Sequence, residues 1–168
     1  RLTDETCLAG ANHYENVRAA IDCFMGRQSE KMPVPELPPL PVRPPVLCAG
    51  CPHRGSFYSV KAAMKRAGQK AVFTGDIGCY TLGNAKPLDM VDTCLCMGAD
   101  ITMAQGLHHA EPEVRHIAFI GDSTFFHTGI PGIINAVYNE TDITVIILDN
   151  STTAMTGHQP HPGTGRTM

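Results

Sequence analysis

Apolar residues along the chain form short runs that alternate with longer amphipathic segments. Three runs are strand-sized and almost entirely apolar, at residues 71–74, 116–120 and 143–148. Apolar residues at helical spacing stand beside them, in segments at residues 56–67, 99–110 and 129–139. Strands that are apolar on both faces are typical of a parallel sheet covered by helices on both sides. We therefore predict a three-layer α/β fold with a mostly parallel sheet.

The first 45 residues have a different pattern. Residues 12–25 are amphipathic at helical spacing and predict one helix. Seven prolines follow within residues 33–45, and each of them removes a backbone donor and fixes φ. We predict an N-terminal helix and an extended, polyproline-like linker over 1–45, followed by a single domain over 46–168.

Composition and charge then narrow the class of protein. The net charge is −3 and no basic stripe is present, which argues against nucleic acid as the main partner. No apolar run reaches the roughly 18 residues of a membrane span, so no membrane partner is expected. The seven cysteines are an odd number and lie among α/β segments rather than in a small disulfide scaffold. This number and placement of cysteines indicates reduced thiols and a cytoplasmic protein.

Polar residues follow directly after the last two predicted strands. Asp122 and Asn150 are 28 positions apart, about one strand–helix–strand unit, so they are expected at the same end of neighbouring strands. Ligands of α/β proteins bind at that end. A carboxylate and an amide oxygen there can share Mg²⁺, with the backbone carbonyl of Thr152 as a further ligand. Gly121 would let the backbone approach a phosphate, and Ser123 would add a donor at the turn.

These residues resemble the thiamine-diphosphate signature, in which Gly-Asp-Gly is followed one unit later by Asn-Asn. Gly121 and Asp122 match the first element, while Ser123 stands in place of its second glycine. Asp149 and Asn150 stand in place of the paired asparagines, and the second of the pair carries the metal-binding role. Neither departure removes a metal ligand.

The sequence around the signature resembles that of the 2-oxoacid:ferredoxin oxidoreductases. Its Thr-Gly-His-Gln segment is similar to the one in the indolepyruvate branch of that family. The resemblance covers residues 46–168 and implies the diphosphate-binding domain of the thiamine-diphosphate fold. It also implies thiamine diphosphate and Mg²⁺ as cofactors, an aryl pyruvate as substrate, and coenzyme A and ferredoxin as partners. The reaction would be oxidative decarboxylation of a 2-oxoacid to an acyl-CoA.

The resemblance implies roles for further residues around the cofactor. Cofactor contacts are expected from Gly78, Cys79, Thr152 and Thr156. Proton-transfer roles are expected for His53, His127 and His158. A histidine can equally be a hydrogen-bonded structural residue, and the sequence leaves both interpretations open.

Three cysteines are candidates for a second cofactor. The family resembled here often holds a four-iron, four-sulfur cluster beside the thiamine, with cysteines at the positions of Cys48, Cys51 and Cys79. The sequence offers no clear fourth ligand. The alternative is three reduced or buried thiols in a branch whose clusters are carried by a separate ferredoxin-like domain.

Two other functions remain open at this stage. A non-redox thiamine-diphosphate enzyme, a 2-oxoacid decarboxylase or a ligase, would use the same metal motif. An iron–sulfur or zinc module without catalysis would not need the oxygen ligands at the strand ends. The family's catalytic glutamate belongs to a pyrimidine-binding domain, for which residues 1–168 offer no candidate. We therefore expect the domain to be cut short at its end, to need that domain or a second subunit, and to form an oligomer.

Overall fold

A computed structural model describes residues 14–28, 38–39 and 41–165. The chain divides into two compact units, Arg1–Arg43 and Pro44–Met168. In the first unit, α1 spans Tyr14–Phe24 and buries none of its residues. The start of the predicted N-terminal helix and part of the proline-rich segment lie outside the described residues, and the domain boundary at residue 46 stays a prediction.

The second unit contains one four-stranded sheet in which every pair is parallel, with strand order β2-β1-β3-β4. The strands are β1 (Ala71–Gly75), β2 (Thr93–Cys94), β3 (Arg115–Gly121) and β4 (Thr144–Leu148). The longer helices are α2 (Pro52–Ala67), α3 (Ala99–Ala110) and α5 (Ile130–Tyr138), and α4 (Asp122–Thr124) is a single turn. The three predicted strands and the parallel α/β fold are confirmed. No helix in the described ranges is long and apolar enough to cross a membrane.

The central strand β3 is covered on both faces, which explains its continuous apolar sequence. On one face Phe119 packs against Phe57 of α2, with ring centroids 4.7 Å apart. On the other face Ala118 and Ile120 pack against Ile101 of α3. Each large apolar side chain buried in this way contributes about 1.5–3 kcal/mol to stability. The structure therefore has three layers, with α2 on one side of the sheet and α3 and α5 on the other.

Two helix starts differ from the sequence prediction. Helix α2 begins at Pro52 rather than at residue 56, because proline fits the first turn, where its missing N–H costs no hydrogen bond. For the last helix, the sequence pattern predicts a start at residue 129. Instead, helical backbone begins at Asp122 and continues through a π-helical turn at Phe125–Gly129 into α5. Residues 122–129 are mostly polar or glycine, so they do not show the apolar spacing that indicates a helix.

Two aspartates are fully buried near the carboxyl end of β1. Asp76 accepts hydrogen bonds from the backbone N–H groups of Ile77 and Gly98, at 2.8 and 2.9 Å. Neither carboxylate oxygen of Asp100 has a hydrogen-bond partner among the described residues. Burial, and then the nearby charge of Asp76, raises the pKa of Asp100 to about 7. The folded state therefore favours the protonated form of Asp100.

We predict that Asp100→Asn stabilises the protein most in alkaline solution. Because the folded pKa lies above the ordinary value near 4, protonation of Asp100 favours folding most strongly at low pH, and this contribution is lost as the pH rises through about 7. The gain in unfolding free energy should be about 1–3 kcal/mol near pH 8 and smaller near pH 5. Thermal and denaturant unfolding at the two pH values measure it.

The matched control is Asp142→Asn, which changes a carboxylate that is largely exposed and should alter stability little at either pH. An equal effect of Asp100→Asn at both pH values would contradict the raised pKa.

Candidate functional site

The carboxylate of Asp122 joins the ends of β3 and β4. One of its oxygens, Oδ1, accepts the N–H of Ser123 at 2.8 Å, and Oδ2 accepts the N–H of Asn150 at 3.2 Å. The side-chain oxygen of Asn150 in turn accepts the N–H of Thr152 at 3.2 Å. The parallel register, with Gly121 opposite Leu148, puts the two strand ends side by side. The structure thus brings Asp122 and Asn150 together, as their spacing indicates.

Asp122 and Asn150 each offer a side-chain oxygen that could bind a metal ion. Oδ1 of Asp122 and Oδ1 of Asn150 each accept one backbone hydrogen bond and keep a lone pair for a further partner. Among the described residues, no three His, Cys, Asp or Glu side chains form a group that could hold a metal ion. The chemistry of these donors fits a hard cation that takes its other ligands from phosphate and water.

A cleft of about 280 Å³ opens beside this pair. Its walls come from the segments that follow β1, β3 and β4. They include six residues with predicted cofactor contacts: Gly78, Cys79, Ser123, Asn150, Thr152 and Thr156. A ligand in this cleft would therefore touch all three strand ends at once.

The space next to Gly121 is filled by Tyr80, a residue that the sequence analysis did not single out. A Cβ atom at Gly121 would lie 1.9 Å from the phenol oxygen of Tyr80, and one at Gly78 would lie 2.6 Å from it. Both glycines are therefore needed to seat this ring. The structure thus explains the glycine at position 121 by the packing of Tyr80, whereas the sequence indicated a close approach of the backbone to a phosphate. Tyr80 itself lines the cleft.

The three histidines with predicted proton-transfer roles do not come together. His53 is buried in the first turn of α2, with its ring centroid 5.9 Å from that of Tyr80. Burial lowers the pKa of His53, while the charge of Asp122 acts in the opposite direction. His127 and His158 are exposed, and none of the three lines the cleft. The carboxylate of Asp122 lies close enough to His53 to act on its pKa.

A fourth histidine, His161, contacts Asp122 and was missed by the sequence analysis. Its Nδ1 accepts the N–H of Gly163 at 3.1 Å, and its Nε2 lies 3.0 Å from Oδ2 of Asp122, without the alignment of a hydrogen bond. The ring is almost completely buried and faces Phe126 at a centroid distance of 6.2 Å. In the sequence His161 lies between two prolines in an irregular segment, so no periodic pattern indicates its burial.

The candidate cluster cysteines lie near one another but do not form a metal cage. Cys48 is exposed, while Cys51 and Cys79 are partly buried. Burial raises the pKa of the Cys79 thiol, and the nearby thiols of Cys51 and Cys48 raise it further. Arg54 holds the turn between the first two by donating from Nε to the carbonyl of Cys48 at 3.1 Å. In the part of the chain that the structure describes, these thiols belong to no metal-binding group.

Comparison with known proteins identifies the class to which this fold and cleft belong. The family described as "thiamine pyrophosphate enzyme, C-terminal TPP binding domain" matches residues 76–168, and the chain belongs to it. The fold is also that of a solved 2-oxoglutarate:ferredoxin oxidoreductase from Magnetococcus marinus, with a TM-score of 0.60 and 24% identity. That match covers 71% of this chain and 42% of the solved one.

Several curated relatives are named indolepyruvate oxidoreductase subunit IorA. The protein from Archaeoglobus fulgidus is 58% identical over 125 residues, which cover 74% of this chain and 20% of that protein. The protein from Methanothermobacter marburgensis is 50% identical over 150 residues, which cover 88% of this chain and 24% of that protein. The chain thus spans about a fifth to a quarter of the length of these relatives. The family resemblance inferred from the motifs is confirmed.

We predict that His161→Ala destabilises the protein by about 1–3 kcal/mol, because it removes a buried ring and leaves Asp122 with one neighbour fewer. Denaturant unfolding measures the change. His158→Ala, at an exposed histidine only three residues away, is the control and should change stability little. If both variants unfolded alike, His161 would not anchor this segment.

Proposed function

We propose that this chain is the diphosphate-binding part of a thiamine-diphosphate-dependent 2-oxoacid:ferredoxin oxidoreductase that acts on aryl pyruvates such as indolepyruvate. One observation carries the proposal. The Asp122 carboxylate accepts hydrogen bonds at the ends of β3 and β4, beside a cleft that is also lined by the segment after β1. The names of the relatives and the similarity of the Thr-Gly-His-Gln segment support the choice of indolepyruvate.

In this proposal Asp122 and Asn150 hold Mg²⁺, and the backbone carbonyl of Thr152 supplies a further oxygen. The ion would neutralise the diphosphate of the cofactor, which supplies the remaining oxygen ligands together with water. The backbone hydrogen bonds to the Asp122 carboxylate fix its orientation before the ion arrives. The site is therefore preorganised, which lowers the cost of binding.

When bound, thiamine diphosphate supplies the chemistry that removes carbon dioxide from the 2-oxoacid. The chain's own residues would bind and orient it. Ser123, Thr152 and Thr156 line the cleft after β3 and β4, and Gly78 and Cys79 line it after β1. His53 is buried close to Asp122 and is the best placed of the three predicted histidines to move a proton. The partners in this proposal are coenzyme A, ferredoxin and a pyrimidine-binding domain or second subunit.

The iron–sulfur cluster has weaker support than Mg²⁺. The thiols of Cys48 and Cys51 are close enough to Cys79 to raise the pKa of its thiol. Together they supply three thiolates, while a four-iron, four-sulfur cluster takes four. The described residues hold no metal-binding group that includes them, so the donors present do not fit a complete cluster. We therefore assign no electron-transfer step to this chain.

The alternative functions are distinguished by the relatives and by the site. Besides the IorA relatives, the chain is 32% identical over 124 residues to a protein named 2-oxoglutarate synthase subunit KorB from Archaeoglobus fulgidus. These similarities favour a ferredoxin-dependent enzyme over a non-redox decarboxylase or ligase. The all-oxygen site at the strand ends argues against a metal module without catalysis.

We predict that Asp122→Ala weakens binding of thiamine diphosphate by more than about tenfold, or about 1.4 kcal/mol, in the full-length protein with Mg²⁺. The reason is that the variant removes the one negatively charged side chain among the proposed ligands of the ion. Isothermal titration calorimetry measures the affinity.

The control for this experiment is Asp149→Asn, at an exposed carboxylate that accepts hydrogen bonds from the N–H and hydroxyl of Ser151 and lies close to Asp122. This change restores the asparagine of the family signature and should leave the affinity unchanged. Full affinity in Asp122→Ala would rule out the metal assignment, and an equal loss in Asp149→Asn would show that the effect is not specific to Asp122.

We predict that residues 1–168 alone do not catalyse the reaction. They span about a fifth to a quarter of the IorA relatives, and thiamine enzymes bind the cofactor between this kind of domain and a pyrimidine-binding domain. The assay is indolepyruvate-dependent reduction of a viologen dye, with thiamine diphosphate, Mg²⁺ and coenzyme A added. Turnover by the isolated chain would contradict the proposed division of the active site.

A further inference from the structure

The lining of the cleft contains no lysine, arginine or histidine among the described residues. Three carboxylates, those of Asp76, Asp100 and Asp122, are buried near the same ends of the sheet. An anionic ligand in this cleft therefore depends on neutral O–H and N–H donors, in addition to any cation that it brings. Hydrogen-bond donors in the cleft lining would therefore contribute to diphosphate binding beside the cation.

Tyr80 is placed to be one of these donors. Its ring occupies the groove between Gly78 and Gly121, where added Cβ atoms would lie 2.6 and 1.9 Å from its oxygen. The phenol oxygen therefore lies directly against the backbone at the end of β3, one residue before Asp122. Because neither glycine can gain a side chain without displacing the ring, this placement is set by the surrounding backbone.

The surroundings of the phenol keep its proton in place. Burial raises the pKa of Tyr80 most strongly, and a hydrogen bond with the Thr124 side chain lowers it. The carboxylate of Asp76, which is within hydrogen-bonding reach of the phenol, and the charge of Asp122 raise it further. Tyr80 therefore remains an O–H donor throughout the physiological range.

We propose that the hydroxyl of Tyr80 donates a hydrogen bond to the diphosphate of the bound cofactor, and that Tyr80 is thus a binding residue of the diphosphate subsite. This inference rests on the proposed function and adds a residue to it. It also explains Gly78 and Gly121, because their lack of side chains admits the phenol to the subsite.

The test compares Tyr80→Phe with Tyr58→Phe in the full-length protein. Tyr58 is 70% exposed on α2, so Tyr58→Phe controls for the loss of a tyrosine hydroxyl away from the cleft. Tyr80→Phe removes one oxygen atom and keeps the ring that packs between the glycines. Melting temperatures without ligand establish that both variants retain the fold.

The probes are thiamine diphosphate and inorganic pyrophosphate, each titrated by calorimetry at saturating Mg²⁺. Because a hydrogen bond to a charged group contributes about 1.5–3 kcal/mol, Tyr80→Phe should weaken binding of both probes by about tenfold or more. Tyr58→Phe should bind both as the unchanged protein does.

Equal affinities in Tyr80→Phe and the unchanged protein would overturn the inference. A loss for thiamine diphosphate without a loss for pyrophosphate would also overturn it, because the hydroxyl would then face the thiamine end. If the unchanged protein bound neither probe, the proposed function itself would fail, and the inference with it.

Discussion

The carboxylate of Asp122 organises the whole ligand-binding edge of the sheet. It receives one N–H group from the start of α4 and one from the loop after β4, and His161 approaches it from the segment that follows. Three separate parts of the chain are therefore positioned against one buried charge. An unpaired carboxylate in such a place would cost several kcal/mol, so these contacts also account for the local backbone course. Two of these parts, the segments after β3 and β4, also form walls of the cleft.

Three buried carboxyl groups, those of Asp76, Asp100 and Asp122, lie at this edge of the sheet. Asp76 has three backbone N–H groups within hydrogen-bond distance, whereas Asp100 has no hydrogen-bond partner for its carboxylate in the described residues. Burial of a carboxylate without partners lowers stability. Groups that are costly in this way often accompany functional sites. Here the electrostatic cost lies beneath a cleft that we propose to bind a cation together with an anion, so the bound Mg²⁺ would offset part of it.

The sequence predicted the features that depend on local pattern. The apolar runs of β1, β3 and β4 gave the sheet, and the spacing of Asp122 and Asn150 placed both at one edge, because parallel strands bring their carboxyl ends together. Features that depend on tertiary packing could not be found in this way. Strand β2 has only two residues, and His161 lies in an irregular segment, so neither gives a periodic signal. The position of Tyr80 in the site depends on the packing of its ring between Gly78 and Gly121, which are far apart from each other in the sequence.

Replacement of Mg²⁺ by Mn²⁺ tests the central claim most directly, because both ions prefer oxygen ligands and Mn²⁺ is visible by electron paramagnetic resonance. The account predicts that the full-length protein with thiamine diphosphate immobilises Mn²⁺ and shows hyperfine coupling to phosphorus, and that Asp122→Ala loses both signals. Phosphorus-coupled Mn²⁺ that persists in Asp122→Ala, or free aqueous Mn²⁺ in the unchanged protein, would contradict it.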